Sequence, residues 1–141
     1  MYVVDASVVA KWVLPGEPFE ENALLVKTNY TSGKYPVCAP SLLVQEIGNS
    51  LWKAIKRKRI TQENADKSLK NLSDLGIALY QIDWTEISKV LQIAEKTGLT
   101  IYDASYLFLS KKTEAPVITA DDKMFQKAKD DFRILHLRDY V

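Results

Sequence analysis

Tyr2-Val3-Val4-Asp5-Ala6-Ser7 opens with an apolar run that breaks at an acid. A short apolar run closed by a polar residue suits a buried strand. Residues 6–14 then read as a short helix, stopped by Pro15-Gly16. The rest of the chain repeats this passage from buried strand to helix. A second helix is expected from Phe19 to about Tyr30, broken by Ser32-Gly33, and Val37-Cys38-Ala39 reads as a second strand. Ser41 is placed to cap a helix over residues 42–58, whose apolar face recurs at Leu43, Ile47 and Leu51.

Thr61, Glu63 and Asn64 start a further helix, with Ala65, Leu69, Leu72 and Gly76 marking its buried stripe. Residues 77–82 read as a strand. Asp83 is expected to cap a helix with the stripe Trp84, Ile87, Val90, Leu91 and Ala94, ended by Gly98. A helix over residues 101–112 comes next, then the strand Val117-Ile118-Thr119, a helix from about Asp121 to Lys129, and a last strand over residues 133–137. Strands alternating with helices, often two helices per crossover, imply a parallel sheet with helices on both faces. In such sheets ligands sit just beyond the carboxyl ends of the strands.

The bulk numbers are compatible with this. The chain has 141 residues, 47% hydrophobic and 26% charged, which suits one domain over residues 1–141. The formal net charge of +1 gives no global bias towards nucleic acid, so any basic surface has to be local. The single cysteine, Cys38, excludes an intramolecular disulfide and suits a reducing interior; it reads as core. No apolar run is long enough to span a bilayer, and no basic stretch followed by an apolar core marks a signal peptide, so a cytoplasmic protein is expected.

The acids fall in telling places on this outline. Asp5 ends the first strand and Asp121 lies just past the Val117–Thr119 strand, so both are expected at one edge of the sheet. Asp103 opens a helix, and Glu46 sits inside one, beside the Leu43/Ile47/Leu51 face. Each also has a local reading. Asp5 and Asp121 can cap the helices that follow them, Asp103 stands three residues after Thr100 as in a capping box, and Glu46 can pair with a nearby Lys or Arg. The joint reading is that two acids from strand ends and two from helices converge. Carboxylates that close repel one another unless a divalent cation intervenes. Mg²⁺ and Mn²⁺ prefer such oxygen ligands, and their natural use is chemistry on a phosphodiester.

With their neighbours these residues resemble the PIN-domain family, especially the VapC-type toxins of toxin–antitoxin pairs. The matching segments are Val3-Val4-Asp5-Ala6-Ser7, Glu46-Ile47-Gly48-Asn49, Tyr102-Asp103-Ala104-Ser105-Tyr106-Leu107 and Thr119-Ala120-Asp121. They come in family order and span nearly the whole chain. The resemblance implies a three-layer α/β/α domain with a central parallel sheet, and Mg²⁺- or Mn²⁺-dependent endoribonuclease activity. It implies that Asp5, Glu46, Asp103 and Asp121 carry the metal and the catalysis, directly or through water. Ser7 and Thr119 are then expected to orient carboxylates or water, with Asn49 as a secondary contact. It also implies an RNA substrate, a homodimer and a VapB-type antitoxin that blocks the site. Asp121 is followed by a second acid, Asp122, which is read as the first turn of the next helix.

Lys53, Lys56, Arg57, Lys58 and Arg59 put five cations at the end of the Glu46 helix. They are either a solvated helix end or, with Lys11, a phosphate-binding ridge leading to the site. Trp12 and Trp52 are expected in the core or a dimer interface. His136, the only histidine, is expected as a surface or packing residue, which makes histidine-based RNA cleavage unattractive. Two alternatives remain: an RNA-processing PIN nuclease that is not a toxin, and a receiver-like regulatory domain. A receiver needs a phosphoacceptor Asp on a central strand and a Lys on a later one, and that pattern is missing. A haloacid-dehalogenase-like phosphatase needs D-x-D after the first strand, where this chain has Asp5-Ala6-Ser7.

Overall fold

The computed structural model describes residues 1–141. Five short strands form one all-parallel sheet: β1 (Tyr2–Val4), β2 (Val37–Pro40), β3 (Ala78–Tyr80), β4 (Val117–Thr119) and β5 (Ile134–His136). The spatial order is β3-β2-β1-β4-β5. The connections carry helices α1 (Ala6–Val9), α2 (Glu20–Thr31), α3 (Leu43–Lys56), α4 (Gln62–Asp74), α5 (Ile87–Thr97), α6 (Ile101–Thr113) and α7 (Asp122–Ala128).

β1 lies at the centre, with Val3 paired to Cys38 on one side and Val117 on the other. Val3 and Val4 are both 0% exposed. Neighbouring strand residues point to opposite faces, so both faces must be covered, and the domain is a three-layer α/β/α stack. Burying each of these valines contributes roughly 1.5–3 kcal/mol.

The chain winds from β1 through β2 to β3. The helical pair α5 and α6 then carries it back across the sheet to β4, on the far side of β1. The connections of β1 and β4 therefore leave in opposite directions. The crevice beyond the carboxyl ends of such a pair is where open parallel sheets bind ligands. Asp5 follows β1 and Asp121 follows β4 at that crevice.

Several local expectations are corrected. α1 makes a single turn and tightens into a 3₁₀ turn at Ala10–Trp12 rather than running to Leu14. The turn carries Trp12 into the core, where its indole N–H donates to the Ala23 carbonyl at 2.8 Å. Ser41 does not cap α3 with its side chain; its carbonyl instead accepts from Val44 N at 3.2 Å. Asp83 closes a turn ahead of α5, accepting from the backbone N–H of Thr85 and Glu86 at 2.9 and 3.0 Å. Trp84 rides on that turn and is 94% exposed; of the expected stripe Val90 is buried, and Ile93 joins it. Leu69 and Leu91 are likewise exposed.

Thr61 and Thr100 do cap their helices, accepting from Asn64 N and Asp103 N at 3.1 Å. Gly98, at a φ of +72°, ends α5 in the left-handed conformation that glycine adopts without strain. That sharp stop lets Leu99 and Thr100 turn directly into α6, which sets Asp103 in its first turn.

Candidate active site

Asp5 is 5% exposed, in the crevice between β1 and β4. It holds the position of a helix N-cap but makes no side-chain cap bond to α1. Its Oδ2 accepts instead from the Ser7 hydroxyl at 2.6 Å and the Thr119 hydroxyl at 2.8 Å. Those hydroxyls are themselves held in place. Ser7 Oγ accepts from Ala120 N at 2.9 Å, and Thr119 Oγ1 accepts from Asp121 N at 3.0 Å. The two strand ends are thus stitched together around one buried carboxylate.

Glu46 enters from α3, half-buried, and its Oε1 accepts from the Tyr106 hydroxyl at 2.7 Å. Tyr106 is fully buried on α6, one turn after Asp103. The sequence pattern alone does not single out Tyr106 as a functional residue. Its spacing from Asp103, i and i+3, is the signal that puts both on one side of α6. Asp121 caps α7, its Oδ1 accepting from Met124 N at 2.9 Å, so the local reading of that acid holds at least in part.

The four acids share one electrostatic neighbourhood. Burial pushes the Asp5 carboxyl above the usual carboxylate range, and the charge of Asp121 adds to the shift. Burial likewise raises Glu46 to about 6, with Asp5 and Asp103 contributing. Asp103 is raised by burial and then by Asp5 and Asp121, against a smaller opposing pull from Lys123. No lysine, arginine or histidine forms an ion pair with any of the four. The salt-bridge reading of Glu46 is therefore excluded.

A closed four-carboxylate cage is not what forms. No group of three or more His, Cys, Asp or Glu side chains is drawn together tightly enough to grip a metal ion as it stands. Tyr106 holds Glu46, and the α7 N-terminus holds Asp121. The donor set still fits a hydrated hard cation. It is all oxygen, none of it is paired with a protein cation, and Mg²⁺ keeps several waters through which carboxylates reach it.

The PIN domain family model matches residues 2–130. The chain belongs to the PIN domain family. It is 30% identical to "Ribonuclease VapC3" of Pyrobaculum aerophilum over 126 residues, covering 89% of this chain and 92% of that protein. It is 32% identical to "Exonuclease VapC9" of the same organism over 89 residues, 62% of this chain and 64% of that one. It is thus a PIN domain of the VapC type. Its fold matches the crystal structure of PAE2754 from Pyrobaculum aerophilum with a TM-score of 0.71 at 22% identity, covering 97% and 89% of the two chains. It also matches FitAcB from Neisseria gonorrhoeae with a TM-score of 0.67 at 15% identity, over 99% of each chain.

Other residues singled out from the sequence take varied places in this PIN domain. Asn49 is exposed on α3 and makes no hydrogen bond to the acids. His136 is fully buried, edge-on to Phe19 and Phe125 at 5.6 Å from each, a packing role. Its Nε2 lies 2.9 Å from Asp122 Oδ1, close but poorly aligned for an N–H bond. Asp122 occupies the first turn of α7, as expected. Cys38 is buried in β2. Trp52 is 55% exposed, not core, and carries the Lys56 ammonium over its ring at 5.2 Å. Lys11, Lys53, Arg57 and Arg59 gather around one cavity beside Ser7. No helix is long and apolar enough to cross a membrane.

Proposed function

We propose that this PIN domain is a divalent-cation-dependent endoribonuclease acting as the toxin of a toxin–antitoxin pair. The observation that carries the reading is Asp5: a buried carboxylate pinned by two hydroxyls, with Glu46, Asp103 and Asp121 in the same field and no protein cation paired to any of them. The name of Ribonuclease VapC3 supports ribonuclease chemistry, that of Exonuclease VapC9 supports nuclease chemistry, and the VapC likeness of both supports the toxin role.

Mg²⁺, or Mn²⁺ in its place, would be held by Asp5, Glu46, Asp103 and Asp121, directly or through water. When bound, it supplies neutralising charge for a phosphate oxygen and makes water more acidic. The chain's own side chains do the rest. Ser7 and Thr119 fix Asp5 in one orientation, and Tyr106 fixes Glu46. Asp103, in the first turn of α6 and in the field of Asp5 and Asp121, is the group assigned to accept the proton of the attacking water. The water oxygen bonds to phosphorus as its proton passes to Asp103, one P–O ester bond of the strand breaks, the departing oxygen takes up a proton from solvent, and no covalent enzyme intermediate is required. An antitoxin of the VapB type and a second copy of the chain are the partners this reading implies.

Asp103→Asn tests the assignment. The variant should fold, by circular dichroism and melting, and cut RNA at least about a thousandfold more slowly, a loss of several kcal/mol of transition-state stabilisation. A folded variant that cuts at the wild-type rate overturns it. Growth arrest on expression, relieved by a partner encoded next to the gene, tests the toxin role.

A further inference from the structure

Between α1 with its following 3₁₀ turn and α3 lies a cavity of about 270 Å³. Its wall begins at Ser7, whose hydroxyl is bonded to Asp5, so it opens directly beside the acids. From there four cations line it: Lys11 on one wall, Lys53 and Arg57 on the other, and Arg59 at the end. Glu17 is the one acid present, and Arg59 already takes it at 3.0 Å. Lys11, Lys53 and Arg57 form no ion pair with a protein carboxylate.

The helix geometry ties this cavity to the acid site. Glu46, Ser50, Lys53 and Arg57 stand at i, i+4, i+7 and i+11, which is one face of α3. Ser50, Lys53 and Arg57 all line the cavity, so the face that begins with Glu46 at the acids continues as the cavity wall. At 1.5 Å per residue, Lys53 lies ~10 Å and Arg57 ~16 Å along the helix from Glu46. The basic run is thereby divided. Lys56 and Lys58 take no part in the wall, and Lys56 is laid over Trp52.

We propose that this cavity is a phosphate-binding subsite, seating a phosphate of the RNA strand beyond the one cleaved, with Lys11, Lys53 and Arg57 as its cations. It rests on the ribonuclease reading only for the identity of the strand. The chemistry is that of a phosphate group, which a polynucleotide supplies either within the strand or at a 5′ end. Lys11 suits the role because its stem is partly buried, so its ammonium is held rather than swept through solvent, at some cost to its charge.

Binding of a short fluorescent RNA in EDTA, read by anisotropy over a potassium chloride series, separates this claim from catalysis. The Lys11→Gln/Arg57→Gln variant should lose about tenfold in affinity and flatten the salt dependence by about one phosphate's worth of counterion release. Lys56→Gln/Lys58→Gln removes the same amount of charge from the end of α3, outside the cavity, and should lose much less. Equal loss in both pairs, or no loss in either, overturns the subsite. Strands with and without a 5′-phosphate tell the two sources apart. A 5′-phosphate preference that disappears in the Lys11/Arg57 variant makes the occupant terminal, and its absence in wild type makes it internal. A protein that binds in this way but never cuts RNA would retain the subsite and lose the nuclease.

Discussion

Two groups of carboxylates in this molecule hold their charge in opposite ways. Asp83, exposed, and Glu86, half-buried, lie ahead of α5 with cationic and hydroxyl partners. Glu86 Oε2 is 2.5 Å from Lys112 Nζ and accepts from the Tyr80 hydroxyl at 2.7 Å, and Lys112 also bonds that hydroxyl. Hydrogen bonds to Lys112 and Tyr80 hold Glu86 below its ordinary value, and the Thr85 hydroxyl does the same for Asp83. Asp5, Glu46 and Asp103 are buried or half-buried, lack a paired protein cation, and are all pushed up. The first group is complete as folded. The second carries negative charge that the fold leaves without a paired cation, which is the condition under which an external cation gains most.

The largest expected effect is on activity. Asp5→Asn should slow RNA cleavage at least about a thousandfold, while Glu86→Gln leaves it near wild type. Comparable losses in both would erase the distinction between the two groups. In EDTA the same Asp5→Asn protein should melt above wild type, because it removes a charge that burial disfavours while an amide oxygen can still accept from Ser7 and Thr119.

A divalent cation should next separate the groups thermally. At a hundredfold excess over its Kd, Mg²⁺ or Mn²⁺ adds about 2.7 kcal/mol to the folded state, a rise in Tm of roughly 5–10 °C. Glu46→Gln should shrink that rise and Lys112→Met should not, as scanning calorimetry with and without metal can measure.

Tyr106→Phe probes the support beneath the acids. Loss of the hydroxyl that holds Glu46 should slow cleavage about tenfold, well short of losing an acid, and cost about 1–3 kcal/mol of stability. Wild-type kinetics in a stable Tyr106→Phe protein would remove Tyr106 from the site.

The smallest effect is a pH slope. Glu46 titrates near 4.5 when unfolded and about 6 when folded. Its protonated form therefore favours the folded state, and that contribution is lost as pH rises from about 4.5 through 6. Glu86 has the opposite sign, with stability present above its ordinary value of 4.5 and lost as pH falls through its lowered folded value. Melting in EDTA across this range should show a decline with rising pH that flattens in Glu46→Gln and persists in Glu86→Gln.

Much of this was legible in the residues, for physical reasons. The short apolar runs before Asp5 and Thr119 mark strands buried on both faces, and a parallel sheet puts the residues after those strands at one edge. Thr100 and Gly98 are local signals, and α6 begins where they place it. The features that stayed hidden depend on tertiary partners. The exposure of Trp84 comes from the way Asp83 closes its turn, and the single turn of α1 comes from the pull of Trp12 into the core. The division of the basic run, with Lys53 and Arg57 facing the cavity and Lys56 turned onto Trp52, depends on which side of α3 meets α1. Tyr106 lies in the Tyr102–Leu107 motif, yet its bond to Glu46 joins residues sixty positions apart.

RNA cleavage by wild-type protein in Mg²⁺, in Mn²⁺ and in EDTA tests the central claim most directly. The account predicts cleavage with either metal, none with the chelator, and recovery when excess metal is returned. Undiminished cleavage in EDTA would contradict it.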